Sequence, residues 1–309
     1  MKKVIVTGAS GFIGKALVKR LLKDNVEVWA IVRDKKKLDN IEITPKLKII
    51  ESELKEYKNL EGKINEKNFD IFIHLAWDGV YGESFFDYEK QINNIKYSCD
   101  ALEVARRLNC KKFIFTGTFV EYEVRQYIEN NSCNLRIATI YGMSKLSTEL
   151  FIKTLVNKYN DIEYNIIYPT QVYGEGDKSR MLSRILIENL ILGNSPKLSI
   201  GNFLYDWIYI EDLIEGIIAV GEKGKNTKSY YIGNRKIHLF KEIVTKVRDI
   251  VAPKVSLRFG EYPDSALIDY NKIDLEELYR DTGFEIKSNF EDTIKRTTEW
   301  IKEDMKKNV

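Results

Sequence analysis

Short apolar runs alternate with longer amphipathic stretches through the first half of the chain. Val4–Val6 and Ile71–His74 are short and rich in β-branched residues, which is typical of buried strands. Phe12–Leu22, by contrast, carries apolar residues at helical spacing. The other strands predicted in this half are Val26–Val32, Leu47–Ile50, Lys112–Thr116 and Tyr164–Tyr168, and the other helices are Phe85–Leu108 and Tyr141–Tyr159.

This alternation predicts an α/β fold of the Rossmann type, a doubly wound parallel sheet with helices on both faces, because each helix must return the chain to the same edge of the sheet. After Pro169 helices separated by short strands take over. They are Met181–Leu192, Ile210–Gly221, Phe240–Val251, Leu275–Tyr279 and Phe290–Lys302. We expect a Rossmann domain over residues 1–170 plus about 206–236, and a smaller α+β lobe, which would bind the substrate, over about 171–205 and 237–309.

The turn between the first strand and the first helix carries three glycines in the sequence TGASGFIG. Gly8 permits a tight turn, Gly11 lets the backbone approach a pyrophosphate, and Gly14 allows close helix–strand contact. The helix N-terminus then offers free N–H groups to phosphates. The turn therefore predicts a dinucleotide site, whose contacts here are Gly8, Ser10, Gly11, Phe12, Ile13 and Gly14.

The spacing Thr-Gly-x2-Gly-x2-Gly resembles the extended, nucleotide-sugar branch of the short-chain dehydrogenase/reductases, the NAD-dependent epimerase/dehydratase family. His74-Leu75-Ala76 is similar to the turn of that branch which passes the phosphates and ribose of the cofactor, although His74 also suits a packed strand end. The further cofactor contacts that we expect from the resemblance are Glu53, Leu54, Leu75, Ala76, Asn93 and Pro169.

The end of the second strand bears on the choice of cofactor. An acid at this place holds the ribose 2′-hydroxyl of NAD, whereas a cation suits the 2′-phosphate of NADP. Val32 occupies the acid position here, and Arg33 follows it with three lysines soon after. Asp34 lies two residues late for a 2′-hydroxyl. A guanidinium pairs well with a phosphate, so the sequence favours NADP(H) and leaves NAD(H) as the alternative.

Tyr141 is the one tyrosine of the chain with lysine at the fourth position after it, Lys145. Four residues apart on a helix place both side chains on one face. The pKa of a free tyrosine is about 10, and a nearby ammonium is expected to lower it. The resemblance implies that Tyr141 is the general acid–base and that Lys145 also binds the nicotinamide ribose. It places the third catalytic residue at Thr118, with Thr116 as the alternative.

Two departures concern the substrate. Relatives usually carry arginine where this chain has Tyr168 and Tyr205, and the second of these arginines grips the substrate diphosphate. The cations that remain in the predicted substrate lobe are Arg180, Arg184 and Arg258.

The resemblance carries the reaction class but not the substrate. Dehydratases of this branch place Asp-Glu directly after the catalytic threonine, and Phe119-Val120 stands there instead. A reductase would reduce an NDP-4-keto-6-deoxyhexose at C4, and a 4-epimerase would keep NAD bound and return the hydride to the opposite face. Arg33 and the expected turn at Glu121-Tyr122 favour the reductase. A non-catalytic dinucleotide sensor is the third alternative.

Composition limits the partners, the compartment and the kinds of site that we expect. The 309 residues have a net charge of +3, which does not indicate a surface that binds nucleic acid. No apolar run is long enough for a membrane span or a signal peptide. Three cysteines suit a reducing compartment, so we expect a cytoplasmic protein. Two histidines make a His-based metal site improbable. The resemblance also implies a homodimer through Phe85–Leu108 and Tyr141–Tyr159.

Overall fold

A seven-stranded parallel sheet forms the centre of the computed structural model, which describes residues 1–38, 41–80, 82–133, 135–136, 138–264 and 268–307. The strands are β1 (Lys3–Thr7), β2 (Glu27–Val32), β3 (Leu47–Glu51), β4 (Ile71–His74), β5 (Lys112–Thr116), β6 (Glu163–Pro169), β7 (Gln171–Tyr173), β8 (Lys197–Ser199), β9 (Leu204–Tyr205), β10 (Trp207–Tyr209), β11 (Ser229–Ile232), β12 (His238–Leu239) and β13 (Arg258–Tyr262). The order in the central sheet is β11-β6-β5-β4-β1-β2-β3. The predicted α/β, Rossmann-type sheet is confirmed.

Helices cover both faces of this sheet. They are α1 (Phe12–Lys23), α2 (Tyr88–Arg107), α3 (Val120–Glu129), α4 (Thr139–Tyr159), α5 (Leu182–Ile191), α6 (Ile210–Lys223), α7 (Phe240–Val251), α8 (Glu277–Thr282) and α9 (Phe290–Lys307). Successive residues of β1 point to opposite faces, so Val4 and Val6 pack with one buried cluster and Ile5 with the other. Among the described residues, none of the helices has the length and apolar character to cross a bilayer.

The direction of strand order reverses between β1 and β4, which pair in parallel with Thr7 opposite His74. In open α/β sheets the crevice beyond such a reversal is where ligands bind. After β6, the pair β7–β10 and the small sheets β9–β12 and β8–β13 accompany α5, α7 and α9. A cleft of about 2560 Å³ is lined both by the ends of the central strands and by residues of these later segments.

Two predicted helices and one predicted turn need correction. Helix α2 begins at Tyr88 and not at Phe85, because the Asp87 carboxylate accepts a hydrogen bond from the Lys90 N–H and caps the helix there. Helix α4 begins at Thr139, two residues before the predicted start at Tyr141. The turn expected at Glu121-Tyr122 is wrong, since both residues lie in the first turn of α3.

Candidate active site

The glycine turn is packed too tightly for side chains. Gly8 has a φ of +66°, and a Cβ there would lie 2.9 Å from the backbone nitrogen of Ala76. A Cβ on Gly14 would overlap the carbonyl oxygen of Gly8. Helix α1 begins at Phe12 after Gly11, which supplies no side-chain cap, so the first N–H groups of the helix are available to an anion. This cradle fits the pyrophosphate of a dinucleotide.

His74 serves the turn and not the chemistry. Its Nδ1 lies 2.8 Å from Thr7 Oγ1, and its Nε2 lies 3.1 Å from Ser98 Oγ. The Ser98 hydroxyl donates to the carbonyl oxygen of Asn94, so the histidine donates from Nε2 and accepts at Nδ1. Burial lowers the pKa of His74 to about 3, and the residue is neutral at physiological pH. It therefore anchors the strand end beside Gly8.

The end of β2 presents a cation to the cleft. Arg33 and Lys37 line it, and the Arg33 side chain is 66% exposed, with Nη1 3.9 Å from Asp78 Oδ1. Asp34 is outside the lining, because its carboxylate accepts a hydrogen bond from the Lys36 N–H over 2.9 Å. The acid that was the alternative partner for a ribose hydroxyl is thus used locally.

Tyr141, Lys145 and Thr118 meet at the floor of the cleft. The Thr118 side chain lies close enough to the Tyr141 phenol to lower its pKa against the effect of burial. Lys145 Nζ lies 5.9 Å from the centroid of the Tyr141 ring and donates to the carbonyl oxygen of Thr116 over 2.6 Å. Between the two candidate threonines, the structure therefore brings the side chain of Thr118 to the tyrosine.

Aromatic rings enclose the tyrosine. The ring of Phe85 lies 4.5 Å from that of Tyr141, centroid to centroid, and the ring of Trp77 lies 6.1 Å away and perpendicular. Trp77 also lies 3.8 Å beneath Lys145 Nζ. These rings give the phenol and the amine apolar neighbours.

The expectation that Lys145 lowers the pKa of Tyr141 is wrong for this arrangement. Burial raises the pKa of Tyr141, and the nearby Glu121 adds to the shift, while the Thr118 side chain opposes it. Burial also lowers the pKa of Lys145, to about 7, with Glu121 opposing. Low polarity disfavours both charged forms at once, so the phenol keeps its proton and is suited to act as an acid.

The cleft also contains a cation that was not predicted. Arg136 lines the cleft, and its positive charge opposes the effect of burial on the pKa of Tyr205. Its Nε and Nη2 donate to the buried carboxylate of Glu123, and neither of these bonds uses Nη1. Of the cations proposed from sequence, Arg184 pairs with Asp304 and Glu188 and Arg258 with Glu261. Arg180 is exposed outside the lining.

Most of the proposed cofactor residues line this cleft. They are Gly8, Ser10, Gly11, Phe12, Ile13, Gly14, Arg33, Leu54, Leu75, Ala76, Tyr141, Lys145 and Pro169. Glu53 and Asn93 are exposed outside it and need correction. The buried asparagine of α2 is the next residue, Asn94. Its Oδ1 accepts a hydrogen bond from the Asp78 N–H, and its Nδ2 donates one to the Asp78 carbonyl oxygen. Asn93 faces away because one step along a helix turns the side chain by about 100°.

The comparisons with known proteins agree with this geometry. The sequence model of the NAD dependent epimerase/dehydratase family matches residues 4–233, so the chain belongs to that family. A putative UDP-glucose 4-epimerase of Methanocaldococcus jannaschii is 27% identical, over 97% of this chain and 98% of its own. The CDP-abequose synthase of Yersinia pseudotuberculosis is 27% identical, over 84% of this chain and 88% of its own.

A solved structure shares the fold. The UDP-glucuronic acid 4-epimerase from Bacillus cereus, in complex with UDP-glucuronic acid and NAD, matches with a TM-score of 0.76 and 22% identity, over 97% of this chain and 99% of that one. The resemblance to the extended short-chain dehydrogenase/reductases is therefore confirmed. The chain is an enzyme of this type that uses a nicotinamide dinucleotide.

Proposed function

We propose that this enzyme reduces a nucleotide-linked 4-keto-6-deoxyhexose at C4, with NADPH as reductant and Tyr141 as general acid. Two of its relatives, a putative UDP-glucose 4-epimerase and a CDP-abequose synthase, are named for nucleotide sugars. In the overall reaction the C4 carbonyl carbon gains a hydride and its oxygen a proton, while NADPH becomes NADP⁺. The residues of segments 171–205 and 237–309 that line the cleft would bind the sugar nucleotide.

The chain's own residues supply the proton and its control. The cofactor, when bound, supplies the hydride. The Tyr141 phenol, which is protonated and lies beside Thr118, donates its proton to the C4 oxygen. Lys145, with a pKa of about 7, can hold or release a proton at neutral pH inside the same enclosure. The rings of Trp77 and Phe85 lower the polarity around this exchange.

Dehydration is disfavoured by the position of the nearest acid. Phe119 and Val120 follow Thr118, and the first carboxyl after them, Glu121, lies outside the cleft lining. Glu121 is fully buried and accepts a hydrogen bond from the Thr118 N–H, so it is not available to remove a proton from a sugar.

The observation that carries the reductase proposal is the pair Arg33 and Asp34. Arg33 lies exposed in the cleft, and Asp34 is bonded to its own turn. A cation without a competing ribose acid suits the 2′-phosphate of NADPH. Reductases draw a reduced cofactor from solution at each turnover, for which NADPH is suited.

A 4-epimerase that uses NAD is the second candidate, favoured by the name of the Methanocaldococcus relative. The experiment that separates them supplies NADPH and a TDP- or CDP-4-keto-6-deoxyhexose and follows NADPH absorbance. A reductase consumes NADPH in proportion to product, whereas an epimerase interconverts UDP-glucose and UDP-galactose without net consumption. Tight binding of a dinucleotide with neither activity would identify the protein as a sensor.

We further propose that Arg136 takes the place of the missing arginines and binds the substrate diphosphate. Its Nη1 is uncommitted by the pair with Glu123, and it shares the cleft with Tyr205. Arg136→Met should raise the KM for the nucleotide sugar by about 10- to 100-fold with the cofactor dissociation constant unchanged. Arg258→Met, which removes an exposed arginine paired with Glu261, is the control. An equal KM for both variants would disprove this assignment.

We also propose a homodimer through α2 and α4. Ile92 on α2 and Leu150 and Phe151 on α4 leave more than half of their side-chain area exposed, at 58%, 53% and 54%. Large apolar side chains at such exposure on adjacent helices are typical of a protein–protein contact.

A further inference from the structure

A carboxyl group lies directly behind Thr118, on the far side from the cleft. Glu121 has no exposed surface, and its Oε1 accepts a hydrogen bond from the Thr118 N–H over 2.8 Å. Burial of a carboxyl is costly unless the group is paired and hydrogen-bonded. Neither the dinucleotide cradle nor the transfer of a proton from Tyr141 uses this side chain directly.

The backbone beside Thr118 is shaped around this carboxyl. A Cβ on Gly117 would lie 2.5 Å from Glu121 Oε1 and 2.9 Å from Cδ1 of Tyr168. These contacts are closer than real Cβ atoms make, so a side chain at position 117 would displace the carboxyl or the ring. Glycine at this position is therefore what allows Glu121 to reach the Thr118 amide.

A second buried carboxyl, that of Glu149 on α4, completes the arrangement. Its Oε2 accepts hydrogen bonds from the Tyr168 phenol over 2.6 Å and from Arg125 Nη2 over 2.9 Å, and Lys153 Nζ lies 2.5 Å from its Oε1. Glu121 Oε2 is buried without a hydrogen-bond donor among the described residues, and the negative charge of Glu149 acts on this carboxyl, so one proton shared by the two groups is favoured.

The surroundings place that proton on Glu121. Burial and the neighbouring negative charge of Glu149 raise the pKa of Glu121 well above its ordinary range. Burial also opposes ionisation of Glu149, but the neighbouring Glu121, Lys153 and Tyr168, with the charge of Arg125, outweigh it and lower the pKa of Glu149. Glu121 is therefore the carboxyl of the pair that favours the protonated form, and its Oε1 accepts a hydrogen bond from the Thr118 N–H.

We propose that Glu121 is a positioning residue for this reaction: its buried carboxyl holds the Thr118 amide and thereby fixes the Thr118 hydroxyl beside Tyr141. The inference rests on the proposed role of Tyr141 as general acid. Neutrality is part of the role, because a negative charge at Glu121 raises the pKa of both Tyr141 and Lys145 and would change the proton balance of the site.

The test compares Glu121→Gln with Glu121→Leu. Glutamine keeps an oxygen for the Thr118 N–H, offers a donor to Glu149 and is neutral, so kcat should stay within about threefold of wild type. Leucine has a similar volume without an acceptor, and kcat should fall at least about tenfold with the KM for substrate and the cofactor dissociation constant nearly unchanged. Val124→Ala, a cavity in the same helix without loss of a carboxyl, is the control for weakened packing of α3.

A Glu121→Leu enzyme that turns over like wild type would overturn the proposal. So would a glutamine variant as slow as the leucine variant, or a loss that appears only in cofactor affinity. If Glu121→Leu does not fold, Gly117→Ala decides in its place, because the added methyl should displace the carboxyl and lower kcat. Gly117→Ala with full activity would then contradict the role.

Infrared spectroscopy separates this proposal from the proposed function. Wild type minus Glu121→Gln should show the carbonyl stretch of one protonated carboxyl, independent of turnover. If that band is absent, the positioning role of Glu121 in this neutral form fails, whatever Tyr141 does. If the band is present but Tyr141→Phe remains active, the proposed function fails while the buried acid pair stands.

Discussion

Lys145 Nζ donates a hydrogen bond to the carbonyl oxygen of Thr116 over 2.6 Å, at the end of β5. Lys145 is 3% exposed, and its amine lies over the ring of Trp77. Burial brings the pKa of Lys145 to about 7, so its charge changes near neutral pH. Lys145 is thus hydrogen-bonded to the end of β5 and can gain or lose a proton near neutral pH.

This pKa predicts how stability depends on pH. Between about pH 7 and the ordinary lysine pKa of 10.5, the unfolded chain carries a proton at Lys145 that the folded chain lacks. The contribution of Lys145 to the free energy of unfolding should therefore increase with pH between about 7 and 10.5, and stay constant below pH 7. Urea titrations of wild type and Lys145→Met at several pH values measure the difference.

The exposed residue Lys246 on α7 provides the matched control, as Lys246→Met. Wild type should gain stability relative to Lys145→Met as the pH increases from about 7 to 10. Parallel stability curves for wild type and Lys145→Met over that range would contradict the assigned pKa.

The cofactor preference depends on Arg33. We expect Arg33→Ala to lose about 10- to 100-fold in NADPH affinity, as for loss of a charge-assisted hydrogen bond, and to change NADH affinity little. Fluorescence titration with both cofactors measures this. Lys35→Ala, a neighbouring cation outside the cleft lining, is the control. Equal losses for the two cofactors in Arg33→Ala would show that the 2′-phosphate is bound elsewhere.

The proposed dimer has an equally direct test. Light scattering at micromolar concentration should give twice the chain mass for wild type and a single chain mass for Phe151→Glu, which places a charge in the apolar face of α4. Ile185→Glu changes an exposed isoleucine on α5 and should leave the dimer intact. A monomeric wild type would refute the proposal.

The parts of the site that the sequence predicts are those encoded by short spacings. Gly8 and Gly14 are recognisable because a tight turn and close helix contact each need glycine, and Tyr141 and Lys145 because four residues make one helical turn. The strand ends that hold these residues follow from apolar runs. Local pattern and global fold agree at all of these positions.

The features that the sequence did not predict depend on contacts between segments that lie far apart along the chain. Glu121 and Glu123 give α3 an acidic first turn that resembles a surface loop, yet both are buried because Glu149 and Arg136 lie opposite them. The sequence pattern that indicates this helix is the pair Val120 and Val124, which lie one turn apart and both pack against Gly142. Asn93 and Asn94 differ only in helix phase, which adjacent polar residues do not reveal.

The central claim is that Tyr141 donates the proton, and Tyr141→Phe tests it most directly. The substitution removes one hydroxyl and keeps the ring that packs on Phe85, so cofactor affinity should be unchanged. Lys145→Met is the companion variant, expected to lower turnover and also to weaken cofactor binding. The measurement is kcat with a 4-keto-6-deoxy nucleotide sugar. We predict a fall of about 10²- to 10⁴-fold in Tyr141→Phe, and activity within about threefold of wild type would contradict the mechanism.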